Sequence, residues 1–145
     1  MGTLYTVVPL DQKCAEWLDT EGVSHPSVAG AARYPTPREI SDTLRCLPGH
    51  RVAIHSDAHT REWSAQIDSE GDMWAQIRVR DFCSEDSPHE FYFSKGHPEI
   101  VFSVTERLAR VCGTLVVVDD SSCRPVVVSP GADTKDLLRD YDEAS

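Results

Sequence analysis

His55-Ser56-Asp57-Ala58-His59 sets three potential metal ligands at alternate positions within five residues. On an extended strand that alternation points all three the same way, with neighbouring same-face positions about 7 Å apart. Two of them could share a cation. A third on the same strand reaches it only through a bulge, and zinc normally collects its remaining ligands from another element. His50, His89 and Glu90 could supply them, although no spacing demands it. The same stretch, continued as SDAHTRE, also has the composition of a polar turn. A strand end followed by a turn is therefore expected, with a metal site on His55, Asp57 and His59 as the alternative.

Other chemistry has less to build on. There is no G-x-S-x-G, no G-x-x-x-x-G-K, no G-x-G-x-x-G and no H-E-x-x-H. A Cys83–His89 pair can be drawn, but Asp81, Glu85 and Asp86 lie close in sequence and would oppose a thiolate. Asp119 and Asp120 could do acid–base work, yet they occupy a predicted hairpin turn, where Asp is common. Cys14, Cys46, Cys83, Cys112 and Cys123 are odd in number and lack C-x-x-C spacing. They read as buried structural thiols, with Cys112 and Cys123 the one pair worth testing for a bridge. No cofactor is implied, and a non-catalytic protein is expected.

The elements that would position these residues are legible from periodicity. TLYTVV (3–8) alternates as a strand. Leu10, Cys14, Trp17 and Leu18 share a helical face that ends at Gly22, and residues 23–35 form a connecting loop. Thr36, Pro37 and Glu39 carry the cap, first-turn proline and capping-box acid of a helix with Ile40, Leu44 and Leu47 inward. RVAIH (51–55), REWSAQID (61–68), MWAQIRVRDF (73–82) and HEFYFS (89–94) then read as strands. Ile100, Val101, Val104, Leu108 and Val111 define a helix stopped by Gly113, and Phe102 falls off its stripe, at a surface or the edge of the core. TLVVV and PVVVS close the sheet, and an acidic tail from Gly131 is either a short helix over TKDLLRDY or frayed. The order β-α-α-β-β-β-β-α-β-β predicts one α+β domain over 1–145, with a mainly antiparallel sheet and about three helices on one face. The other face would be partly open.

Composition sets the class of partner. Of 145 residues, 40% are hydrophobic and 26% charged, ordinary for a globular domain, and no apolar run is long enough to span a bilayer. The N-terminus lacks the features of a signal peptide, so the cytoplasm is the expected compartment. Fourteen Lys and Arg against 24 Asp and Glu leave a net charge of −10, which disfavours nucleic acid and anionic membranes and favours a basic partner. The acids gather as Asp68, Glu70 and Asp72, as Asp81, Glu85, Asp86 and Glu90, as Asp119 and Asp120, and from Asp133 through Glu143. Trp74, Gln76, Arg78 and Arg80 are predicted outward on the central hairpin, with Tyr92 on the next strand. Exposed Trp, Tyr and Arg are the types that dominate interface energetics, unless a second layer such as the 23–35 loop covers them.

In size, acidity and layout over its whole length, the chain resembles the immunity proteins that accompany bacterial antibacterial toxins of type VI secretion and contact-dependent systems. The resemblance implies stoichiometric inhibition of a cognate toxin by occlusion of a basic cleft. The expected contact residues are Asp68, Glu70, Asp72, Trp74, Arg78, Arg80, Glu85, Asp86, Tyr92, Asp119 and Asp120, on a protein that is a monomer or weak dimer when free. Reversing Glu85 and Asp86 to Lys would then slow association. Two alternatives stand beside it: a small metal-dependent enzyme or metal-binding domain at His55, Asp57 and His59, and a self-associating adaptor or subunit pairing through a strand edge such as PVVVS.

Overall fold

The computed structural model describes residues 4–28, 32–69, 71–120 and 125–144. Seven strands form one sheet in the order β2-β3-β4-β5-β1-β6-β7, antiparallel throughout. The strands are β1 (Tyr5–Pro9), β2 (His50–Asp57), β3 (Glu62–Ser69), β4 (Trp74–Val79), β5 (Phe91–Gly96), β6 (Leu115–Asp119) and β7 (Val126–Val128). The helices are α1 (Gln12–Thr20), α2 (Pro37–Arg45), α3 (Pro98–Cys112) and α4 (Thr134–Ala144). The predicted α+β class and order hold, with α4 added at the C-terminal end. β2 to β5 form a meander of consecutive neighbours. β1 then inserts between β5 and β6, pairing Tyr5 with Phe93 on one side and with Asp119 on the other.

Strict alternation sorts the side chains onto two faces. Val7, Trp63, Ala65, Ile67, Ala75, Ile77, Phe91, Phe93 and Val117 turn to one face and are buried with residues of α2, α3 and α4. Three helices do share this face, but α1 is not among them. Leu10, Ala15 and Leu18 pack on Val116, with Val8, Val118 and Val127 beside them, so α1 covers the opposite face over β1, β6 and β7. Val23 and Val28 of the following loop belong to the same cluster. Among the described residues, that second layer ends at β1.

α3 buries far more than one stripe, because α2 and α4 pack along it. Phe102 is fully buried and meets the Tyr141 ring of α4 edge-on at 5.5 Å between centroids. The expectation of a surface or core-edge Phe102 is thus corrected. The acidic tail contains the helix that covers it, anchored by buried Leu137 and partly buried Leu138 and Tyr141. Glu106 of α3 is 6% exposed. It takes both arms of Arg110 at 2.6 and 2.7 Å and accepts the Gly131 N–H at 3.0 Å, tying the approach to α4 onto α3.

α2 begins as its sequence requires. The Thr36 hydroxyl accepts the Glu39 N–H, and Glu39 accepts the Thr36 N–H in return. Glu39 also accepts from both terminal guanidinium nitrogens of Arg33, at 2.7 and 2.8 Å. That double contact, aided by the Thr36 amide against the opposing effect of burial, holds the Glu39 carboxyl down to about 2 from an ordinary 4.5. Because the folded value is the lower one, this stabilisation is complete above about pH 5 and fades as pH falls towards 2. Arg33 is partly exposed, with 42% of its side-chain surface open to solvent, so screening reduces the gain. Glu39→Gln is expected to cost about 1–2 kcal/mol at neutral pH and to flatten the acid limb of stability. Urea melts at a series of pH values would read both.

Candidate functional site

β2 runs through His55 to Asp57, and Asp57 then turns the chain by accepting the N–H groups of His59 and Thr60 at 2.9 and 3.3 Å. His55 lies 3.9 Å from Glu62 across the hairpin, with both side chains more than 60% exposed. Asp57 is thus engaged in closing the turn. Among the described residues, no three or more His, Cys, Asp and Glu side chains converge as a metal-binding group.

Cys83 and His89, by contrast, do come together. The Cys83 thiol is 3.4 Å from His89 Nε2, and the ring is 8% exposed beside Phe82. The backbone settles the proton arrangement. The Cys83 N–H donates to Nε2 at 3.2 Å, so Nε2 carries the lone pair and Nδ1 the hydrogen, which is donated to the Ser87 carbonyl at 2.6 Å. The His89 N–H in turn reaches the Pro35 carbonyl. With its lone pair held by an amide, the ring is poorly placed to take a thiol proton. It locks the 82–90 loop in place.

The cysteines differ from expectation in another respect. Cys112 is buried, which pushes its thiol up to about 11, and Cys14 is half-buried, but Cys46 and Cys83 are exposed. Cys123, and with it any bridge to Cys112, lies outside the described residues.

Beyond β1 the second face carries a polar and aromatic surface. Register places His55, Ser64, Arg78, Tyr92 and Thr6 side by side across five strands. Gln76 lies in the neighbouring row, opposite Gln66, where its Oε1 accepts the Ser94 hydroxyl at 3.0 Å. Trp74 is half-buried, with its ring against His97. Arg80 stands over the Tyr92 ring, 4.5 Å from the centroid. Where the surface meets α1, Thr6, Val8, Val118, Cys14, Trp17 and Tyr34 line a mostly apolar groove of about 450 Å³. Trp17 is 39% exposed there. Trp17 is predicted on one helix face with Leu10, Cys14 and Leu18. Val8 and Val118 were legible only as strand residues, and nothing in the sequence brings Tyr34 to them.

The acidic residues do not form one patch. Asp68 and Asp72 sit at the end of the sheet where β4 begins, and Asp81, Glu85, Asp86 and Glu90 at the end where β4 finishes. The six residues of β4, Trp74 to Val79, separate the groups by about 17 Å of strand. Glu85 accepts the Ser56 hydroxyl, and Asp86 is paired with Arg38 at 2.7 Å, so both brace the loop against β2 and α2. Asp81 lies 3.8 Å from Arg61, and Glu90 is exposed. Glu70 lies outside the described residues.

Asp119 belongs to the interior. It is 7% exposed in β6 and hydrogen-bonds with Tyr141 of α4. Burial first, then bonds to Asp119 and Tyr5, raises the Tyr141 phenol well above its usual range. The expectation of Asp119 as a contact residue is corrected, because α4 closes over it. Asp120, the next residue, is exposed.

No helix among the described residues is long and apolar enough to cross a membrane. In comparisons with known proteins, no family model, no curated protein and no solved structure matches the chain.

Proposed function

We propose that the protein acts by binding another protein, as a non-catalytic inhibitor of the immunity type, through the face centred on Arg78, Arg80 and Tyr92. The observation that carries this is the cation–ring pair of Arg80 and Tyr92 on a sheet surface that runs into the Trp17–Tyr34 groove. A polar sheet surface with aromatic anchors beside an apolar groove has the make-up of an interface core with its rim. The net charge of −10 favours encounter with a basic protein. Asp81 and Glu90 are the steering acids best placed for this: Asp81 reaches Arg61 only at 3.8 Å, whereas Glu85 and Asp86 are held by short bonds within the fold.

The test is co-expression with each protein encoded beside this chain, scoring relief of toxicity and formation of a one-to-one complex. Tyr92→Ala and Arg78→Glu are each expected to weaken such a complex about thirtyfold, as for interface hot spots. Asp81→Lys with Glu90→Lys should slow association and leave dissociation nearly unchanged. A neutralising complex indifferent to both Tyr92 and Arg78 would exclude this face.

A further inference from the structure

The two edges of the sheet are unequal. β7 offers three residues, whereas β2 offers eight in unbroken register with β3. An outer strand leaves every second N–H and C=O pointing away from the sheet, and natural edges are usually blunted by proline, lysine, a bulge or a covering segment. HRVAIHSD contains no proline or lysine, its pairing with β3 shows no register shift, and the 82–90 loop meets it near its C-terminal end, through the bond of Glu85 with Ser56. Arg51, Ala53, His55 and Ser56 are exposed.

Symmetry narrows what could extend this edge. When a second copy pairs antiparallel with β2 so that both buried faces stay on the same side, opposed residues must share a face, and the two-fold axis falls on a residue. An axis at Ala53 sets Arg51 against His55, and an axis at His55 sets Asp57 against Ala53. An axis at Ile54 sets Arg51 against Asp57, twice by symmetry, with Ile54 meeting Ile54 on the buried side. Among the described residues Arg51 has no ion-pair partner. Asp57 uses Oδ1 for its turn, which leaves Oδ2 for a cross-strand arginine.

We infer that two copies of the chain associate through β2, antiparallel about a two-fold axis at Ile54, with Arg51 of each copy paired to Asp57 of the other. The sheet of one copy continues into that of the next, and their open faces lie on the same side. This pairing is independent of the proposed partner-binding face.

Sedimentation velocity across the micromolar range, in about 0.15 M salt to screen the net charge, tests it. The wild-type chain should show reversible dimerisation. Arg51→Asp and Asp57→Arg should each weaken it about tenfold or more, because each turns two attractions into two repulsions. The decisive sample mixes the two variants. One then carries two acids and the other two arginines at these positions, and the mixture should form a heterodimer of near wild-type affinity. Because both variants must be folded to pair, this result also controls for damage to the Asp57 turn. A wild-type monomer at all concentrations, a dimer insensitive to both substitutions, or variants that fail to complement each other would overturn the inference.

Discussion

Replacing Phe102 by alanine is expected to remove about 3–5 kcal/mol of stability, a large part of what a domain of this size possesses. The ring is fully buried between α3 and α4. Its truncation opens a cavity that Tyr141 is poorly able to fill, since Tyr141 is held in a second ring contact with Tyr5 at 6.3 Å and by its hydrogen bond with Asp119. Tyr141→Phe keeps the packing but removes the hydroxyl that bonds Asp119 and Tyr5, and should cost about 1–2 kcal/mol. Urea unfolding, followed by far-ultraviolet dichroism and tryptophan emission, would show both variants with lowered midpoints and coincident transitions. A Phe102→Ala loss below about 1 kcal/mol would mean that α4 does not close the core as described.

His89→Ala carries the second large effect, about 3 kcal/mol, from the lost ring contacts with Phe82 and the loss of two part-buried hydrogen bonds. Cys83→Ala removes only an exposed thiol and should stay within about 0.5 kcal/mol of the parent. That asymmetry separates a loop lock from a nucleophile and its base. If the pair served thiol chemistry, His89→Ala would slow alkylation of Cys83 by iodoacetamide at unchanged stability. The proton arrangement around Nε2 predicts the reverse: a destabilised fold, and a thiol whose reactivity in the intact protein changes little.

Residues that could have suggested catalysis are used in turns and loops: Asp57 closes a hairpin, His89 fastens a loop, and Asp119 secures α4. The surface left over is the polar, aromatic half-sheet with its groove.

Much of this was open to inference from the chain alone, because its causes are local. Alternation over Trp63, Ala65 and Ile67, or over Phe91 and Phe93, assigns each side chain to a face without knowledge of the neighbouring strand. The Thr36–Glu39 cap is complete within four residues. Arg78, Arg80 and Tyr92 could be placed on the face away from the buried one for the same reason. What lies across each face depended on contacts distant in sequence. Insertion of β1 between β5 and β6 joins Tyr5 to Phe93 and Asp119, and sends α1 to the opposite side from the other helices. α4 turns Phe102 and Asp119 from surface candidates into interior residues. Periodicity states that a face must be buried; only tertiary packing chooses what buries it, because apolar attraction is non-directional and is satisfied by any surface that fits.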